Sequence, residues 1–458
     1  MTIETLPDEA LLEVFHFYVA YTWFYGEWFR LTRVCRRWRC IIFASPLRLN
    51  LSVRCKSSKP LREMLDTWAT FPIFVEDYHC SEKGTDNIIV AFEHNDRVCG
   101  IRIYIEKQVS SSVLGRFARA MQDPFPKLTS LSLQSADGTL VLPGTFLGGS
   151  APLLKSCVVD SLPFLALRNL LLSATHLVDL YLVKIPHSGY ISPEAMVTCL
   201  SAATNLKYLE LRFLSPQSRP DRRPPPLIRT ILPALAVFHF HGVTEYLEDF
   251  ISRVNVPILE EVDIGFFHQL TFDVSQLHQF IGRTEALSAL NIANVDLDDY
   301  CTSVELSQQT RAFSRPRISL SMFCNGSDWQ FSFLTQACSS LSPTLSNYET
   351  LNVREKGFES LGPGWEDDVE NSQWLELFHP FTSVKNLYLS EVVAPLVKPA
   401  LQELAEERVT DVLPMLQNLY VEGLEPSGPI QEGIGQFVTA RQLVNRPVAV
   451  EPWDRWPY

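Results

Sequence analysis

The chain has 458 residues, 46% of them hydrophobic, with a mean hydropathy of +0.03, a formal net charge of −13 and a pI of about 5.3. That length is too great for one ordinary compact core unless the units stack as a solenoid or close into a large barrel, and the apolar content excludes a disordered chain. The acidic balance argues against nucleic acid as the main partner, because phosphate binding needs a basic footprint.

No apolar run approaches the ~20 residues of a membrane span. The longest candidate, Leu232 to Phe240, is interrupted by Pro233 and His239. Acids at Glu4, Asp8 and Glu9, with no basic run before them, predict no secretory signal. The ten cysteines include no CxxC pair, and Cys157 sits at an apolar position of Leu154-x-x-Cys157-x-Val159. Reduced, mostly buried thiols in an intracellular protein of the cytoplasm or nucleus are expected. In that setting the sequon Asn325-Gly326-Ser327 carries no meaning.

The first fifty residues predict a small helical module. Pro7 suits the first position of a helix, where a missing N–H costs nothing, and Asp8 and Glu9 place negative charge on the positive helix end. Leu11, Leu12, Phe15 and Val19 recur at helical spacing. An aromatic stretch, Tyr18 to Trp28, is broken at Gly26. A second helical pattern then carries Leu31, Val34, Cys35, Trp38, Ile41 and Ile42, with Arg36, Arg37 and Arg39 on its other face, until Ser45-Pro46 stops it. A module this short cannot bury so many apolar groups alone. A partner covers the excess, or the rest of the chain does, with the module acting as the terminal cap of an array.

The order Leu-Pro-x-Glu-x-Leu-x-x-Val-Phe, a spacer, Leu-x-x-Val-Cys-Arg-x-Trp-Arg and then Ser-Pro-Leu, over about residues 3–50, resembles an F-box. The resemblance implies a three-helix fold that binds the Skp adaptor of SCF-type ubiquitin ligases through one apolar face. It divides Leu6, Pro7, Leu11, Leu12, Val14, Phe15, Leu31, Val34, Cys35 and Trp38 between adaptor contact and the module's own core. Two departures stand out: a long aromatic spacer, Tyr18 to Arg30, and Arg48-Leu49 where a tryptophan often follows the final Pro-Leu.

From residue 49 a pattern close to L-x-x-L-x-L recurs. Clear copies are Leu128-x-x-Leu131-x-Leu133, Leu177-x-x-Leu180-x-Leu182, Leu206-x-x-Leu209-x-Leu211, Leu259-x-x-Val262-x-Ile264, Leu287-x-x-Leu290-x-Ile292 and Leu416-x-x-Leu419-x-Val421. With weaker copies, the last apolar positions run 51, 75, 103, 133, 159, 182, 211, 240, 264, 292, 320, 353, 389 and 421. The steps span 23 residues (159 to 182) to 36 (353 to 389), near a leucine-rich-repeat period. The alternating ends of each copy predict short strands with one buried face, and Ser192-Pro193-Glu194, Thr244 to Val254 and Val397 to Val412 predict intervening helices. Strands begin at Leu49, which leaves little room for a flexible linker after the module.

The expected fold is therefore α/β: a module at 1–48, a curved leucine-rich-repeat solenoid at 49–435 and a C-terminal cap or tail at 436–458. A doubly wound sheet is disfavoured, because roughly 14 units exceed ordinary sheets. The final segment ends in Trp453, Trp456 and Tyr458 and resembles the tails of many fungal F-box proteins with degenerate repeats.

Residues between the buried strand positions would line the concave face. Tyr181, Glu210, His239, Asp263, Asn291, Tyr388 and Tyr420 are the substrate-binding candidates there, with Ser132, Val158, Ser319 and Asn352 in the same column. His239 and His241 point the same way, but without a third ligand they read as an exposed pair. Two insertions read as surface loops: the Pro- and Arg-rich Ser215 to Leu227 and the acidic Gly357 to Glu370. Asp296-x-Asp298-Asp299 lacks the glycine and final glutamate of a calcium loop and reads as a turn.

The sequence holds no GxxxxGK[ST], HExxH, GxSxG or GxGxxG, and no acid–base pair can be named. The expectation is a binding protein without catalytic residues, metal or cofactor. It would use the Skp adaptor, through it a cullin ligase, and a protein substrate; the alternative is a repeat scaffold with no ligase association.

Overall fold

The computed structural model describes the chain apart from residues 1–5, 22–26, 47–48, 50–51, 57–60, 81, 108, 137, 139–140, 164–165, 217–225, 227, 270–271, 273, 309–314, 325–326, 357–368, 405–408, 425–428 and 454–458. Most of the two insertions, the sequon's Asn325-Gly326, Leu51, Trp456 and Tyr458 thus lie outside the described residues. The architecture is mixed α/β, with N-terminal helices ahead of mostly parallel strands, and it forms two compact units. The first holds residues 1–190 with 202–204, and the second 191–201 with 205–458.

In the first unit, helix α1 (Asp8–Tyr21), a 3-10 turn (Glu27–Arg33) and helix α2 (Arg36–Ala44) precede the sheet. Strands β1 (Val53–Cys55), β2 (Ile73–Cys80), β3 (Val98–Ile105), β4 (Ser130–Ser135), β5 (Ser156–Asp160) and β6 (Asp179–Ile185) follow, each parallel to the next. The predicted repeat ends share one row: Ile103 lies opposite Leu133, Leu133 opposite Val159, and Val159 opposite Leu182. All four are buried, because alternation puts them on the face that the connecting helices cover.

The module is fastened to this sheet by aromatic packing. Phe43 of α2 meets Trp68 and Phe71 edge-on at 5.4 and 5.5 Å, and those two rings meet at 5.5 Å. Face-to-edge pairs suit the ring quadrupoles. On the open face of the sheet, Gly100 makes room for a ring: a Cβ there would lie 2.3 Å from two carbons of Phe74. Phe74 is flanked by Arg54 and Arg102, whose guanidinium carbons lie 5.2 and 5.8 Å from its centroid. Both arginines also approach the buried Glu76, at 2.6 and 3.7 Å.

The second unit contains β7 (Tyr208–Phe213), β8 (Thr230–Ile231), β9 (Val237–Gly242), β10 (Val254–Asn255), β11 (Glu261–Phe266), β12 (Ile292–Leu297), β13 (Cys301–Ser307), β14 (Arg317–Phe323), β15 (Thr350–Glu355), β16 (Asn386–Leu389), β17 (Asn418–Glu422) and β18 (Ala449–Trp453). The order in its large sheet is β7-β9-β11-β14-β13-β12-β15-β16-β17-β18, while β8 and β10 form a small parallel pair. Leu211, Phe240, Ile264, Leu320, Val304, Val295, Val353, Leu389 and Val421 share one row.

A strictly consecutive parallel stack is not what forms. Strands β12, β13 and β14 make an antiparallel meander inserted in reverse order, so β11 pairs with β14 and β12 with β15. The turn at Asp298–Tyr300 that joins β12 to β13 is the one expected from the acidic triplet. The C-terminal stretch adds a further strand, β18, parallel to β17 and carrying Pro452 in its edge position.

Helices link the strands much as their capping residues dictate. Ser192 caps Pro193–Leu200 by accepting from Ala195 N, with Pro193 in the first turn. The helix expected near Val397 to Val412 instead runs Val393–Leu404, with Val412 buried in the following turn. One cap is supplied by a neighbouring helix. Buried Glu248 of Thr244–Arg253 accepts from the amides of Gln276 and Leu277 at 2.6 and 3.0 Å, at the start of Ser275–Arg283, whose own N-cap residue Val274 offers no side-chain bond. The carboxylate thus accepts from two first-turn donors at a positive helix end, of which Leu277 N also reaches the Val274 carbonyl at 3.1 Å.

Candidate functional site

Two surfaces hold the candidate residues, one on the N-terminal module and one on the second unit's sheet. In the module, the Pro7 carbonyl accepts from Leu11 N and opens α1. Leu11, Leu12 and Phe15 are buried on one side, where Phe15 meets Trp38 at 4.7 Å. Leu31 and α2's Ile41 and Ile42 are buried as well. Cys35 precedes α2 as its N-cap, with Sγ accepting from Trp38 N at 3.5 Å, so the second helical pattern starts at Arg36 and not at Leu31. Arg37 binds Asp8 Oδ1 through Nε and Nη2 at 3.0 and 2.6 Å and the Leu6 carbonyl at 2.5 Å, which ties α2 to the start of α1.

This packing divides the ten candidate adaptor residues. Leu11, Leu12, Phe15 and Leu31 form the module's core, and Leu6 and Trp38 are half-buried. Pro7, Val14, Val34 and Cys35 are exposed, Val14 by 48% and Val34 by 58%. Phe17 joins them at 62%; the sequence reading missed it, although it stands three residues from Val14 on the same side of α1. These exposed valine and phenylalanine side chains leave apolar surface uncovered beside the small core.

On the sheet face, Tyr181 is half-buried in the first unit, in register with Val158 and Ser132. In the second unit one row runs Glu210, His239, Asp263, Ser319, Glu305, Asn294, Asn352, Tyr388, Tyr420 and Glu451. Asn291 is not in it. Leu287 and Leu290 pack in a short helix and turn before β12, so the strand begins at Ile292 and Asn294 takes the row position.

The row and its neighbours form a dense polar network. Tyr208 Oη lies 2.7 Å from His239 Nδ1 and donates to Glu210 at 3.1 Å, while Arg212 pairs with Glu210 at 2.6 Å. Glu261 receives Arg317 at 2.6 Å and Arg315 at 2.5 Å and lies 3.4 Å from His239 Nε2. Burial alone would raise the Glu261 pKa, but the Arg317 bond and the charges of Arg317 and Arg315 outweigh it and hold the carboxyl below its ordinary value. Glu305 is shifted upward, by burial and then by nearby Asp296. Arg354 holds Asp296 at 2.6 Å, and Asn352 donates to Asn294 at 2.6 Å.

Further along, Tyr388 and Tyr420 stack at 4.4 Å and Trp453 meets Tyr388 at 5.4 Å. His241 packs against Phe267 at 4.4 Å, and burial lowers its pKa. Sequence reasoning passed over Arg212, Arg315, Arg317 and Arg354 because its column followed one residue per repeat. Arg212, Arg317 and Arg354 stand two places along their strands.

Among the described residues no group of three His, Cys, Asp or Glu side chains is placed to hold a metal ion, and no helix is long and apolar enough to cross a membrane. No curated protein matches the chain. The F-box-like family matches residues 3–52, the span of α1, the 3-10 turn and α2. The chain thus carries an F-box-like domain at residues 3–52, ahead of its mostly parallel α/β sheet.

Proposed function

We propose that the chain is a substrate-recognition adaptor of an SCF-type (Skp–cullin–F-box) ubiquitin ligase. The observation that carries this reading is the exposed apolar set Val14, Phe17 and Val34 on a domain that matches the F-box-like family. A terminal cap would turn such residues inward. Val14, Val34, Pro7 and Cys35 then contact the Skp adaptor, while Leu11, Leu12, Phe15 and Leu31 shape the surface from beneath. The chain catalyses nothing itself; it raises the local concentration of a substrate lysine near the ubiquitin-loaded enzyme, in the cytoplasm or nucleus.

The remainder is a degenerate leucine-rich-repeat solenoid whose polar row receives a protein substrate. The register shared by Ile103, Leu133, Val159 and Leu182, and again by Leu211, Phe240 and Ile264, supports a repeating strand unit. Tyr181, Glu210, His239, Asp263, Tyr388 and Tyr420 contribute to the receiving face.

Co-expression with a recombinant Skp adaptor tests the reading. The wild-type chain is expected to co-purify with it, and a Val14→Asp, Val34→Asp variant with an unchanged thermal melt is expected to lose it. Burying two unpaired carboxylates costs several kcal/mol, on the order of a hundredfold or more in affinity. Equal recovery of the adaptor by the folded variant would sink the proposal and leave a repeat scaffold without ligase association, its N-terminal helices serving as a cap.

A further inference from the structure

The carboxylates on the second unit's open face fall into two groups. Glu210 holds Arg212, Glu261 holds Arg315 and Arg317, Asp296 holds Arg354, and Glu349 holds Lys385. Glu391, Glu422 and Glu451, around β16 to β18, have no ion-pair partner among the described residues. Glu422 accepts only the backbone amide of Glu391, at 3.3 Å. Three carboxylates without a counter-charge among the described residues thus gather at this end, whereas elsewhere on the row Asp263 alone is in that position.

The same place carries the aromatic platform. Tyr388 and Tyr420 lie face to face at 4.4 Å with 10° between their planes, and Trp453 stands at 70° to Tyr388. All three are half-buried. The two phenol rings cover each other's inner faces, Trp453 of β18 stands against Tyr388, and Glu451 of β18 is the register partner of Tyr420. A cation laid on this aromatic cluster meets negative π density and a carboxylate together, and neither alone would hold it as well. Two residues earlier on the same strands, Asn418 donates to Asn386 at 2.8 Å, and each amide keeps further hydrogen-bonding capacity for a peptide backbone.

We infer that this end of the face binds an arginine or lysine side chain of an extended protein segment, seated on Tyr388, Tyr420 and Trp453 and countered by Glu422 and Glu451. The inference rests on the reading that the sheet face receives the substrate, and it names the substrate's chemistry as basic. Rigid aromatic anchors give contact area at low entropic cost, and the unpaired carboxylates steer the encounter.

The test is fluorescence anisotropy on the full chain in 150 mM salt, where long-range attraction is screened beyond ~8 Å. The probe is a fluorescein-labelled Gly/Ser peptide bearing two arginines, compared with the same peptide bearing two glutamines. The arginine peptide is expected to bind, and Glu451→Gln with Glu422→Gln to weaken it about tenfold. Tyr420→Leu is expected to do the same, and the remote Asp123→Asn to change nothing. Equal binding of the two peptides, no binding, or an equal loss on Asp123→Asn would overturn the inference. Glu451 is exposed, so its glutamine variant keeps the test sound if Tyr420→Leu misfolds. Skp co-purification by these variants is expected to be unaffected, so a failure here is distinguishable from a failure of the adaptor reading.

Discussion

Glu248→Ala removes the shared acceptor of two first-turn donors, leaving Leu277 N only its 3.1 Å bond to the Val274 carbonyl. Gln276 N and Leu277 N approach the carboxylate at 2.6 and 3.0 Å, and the helix Ser275–Arg283 has no other side-chain cap. A buried donor left without a partner costs ~1–3 kcal/mol. That loss at Gln276 N, the weaker bonding left to Leu277 N and the lost charge at the helix end together come to about 3 kcal/mol. Glu248→Gln keeps an acceptor oxygen and the side-chain volume but loses the charge, and is expected to cost about 1.4 kcal/mol.

Amide hydrogen exchange followed by mass spectrometry resolves the effect by segment, which a single melting curve of a chain with two units does not. Exchange in residues 275–283 is expected to quicken about a hundredfold in the alanine variant and about tenfold in the glutamine variant. Exchange in β3 and β4, in the first unit, is expected to stay unchanged. The reasoning fails if glutamine and alanine act alike, or if protection is lost evenly over the whole chain.

Gly100→Ala is expected to expel the Phe74 ring from between Arg54 and Arg102 and lower the first unit's stability by about 2 kcal/mol; a double-mutant cycle with Phe74→Ala, read by urea unfolding, should show strong coupling. Because the Glu261 carboxyl titrates below its ordinary 4.5, its stabilisation is present in full above that value and disappears as the pH falls through the lower folded value. The melting-temperature gap between wild type and Glu261→Gln should accordingly be widest near pH 7 and close in acid; a constant gap would refute the ion-pair account. Burial pushes the Cys157 and Cys338 thiols up to about 12, so iodoacetamide at pH 8 should modify exposed Cys35 and Cys40 and spare those two in the native chain, as peptide mass mapping would show. Addition of the Skp adaptor should slow the reaction at Cys35.

Much of the strand framework was legible because alternation of apolar residues marks both a strand and its buried face. Leu131/Leu133, Leu209/Leu211 and Leu419/Val421 needed nothing beyond that signal. The reading failed at Leu287-x-x-Leu290-x-Ile292, where a helix and a turn carry the same spacing, and the strand's buried face is Ala293, Val295 and Leu297. Strand β13 escaped notice because Val304 and Leu306 alternate without a leading leucine pair. In the module, the resemblance named Val14 and Phe15 together without dividing them, and a turn of 100° per residue puts one outside and the other in the core. The Arg–Glu pairs and the Tyr388–Tyr420–Trp453 platform depend on which strands are neighbours and in what register, and a single sequence does not encode that locally.

The reversed order of β12, β13 and β14 also governs how the second unit can be built as it leaves the ribosome. In a simple array each new unit docks on the one just made, so folding propagates from whatever is already in place. Here β11 finds its outer neighbour only when β14 arrives, with Glu261 and Arg317 separated by 56 positions, and β12 waits for β15, with Asn294 and Asn352 separated by 58. Until residue 323 is synthesised, the edge of β11 stands open with its amides and carbonyls unpaired. Such long-range closure is slow and leaves a strand edge available to other chains in the interval. A nascent or truncated chain ending between residues 267 and 316 is thus expected to aggregate more readily than the full chain.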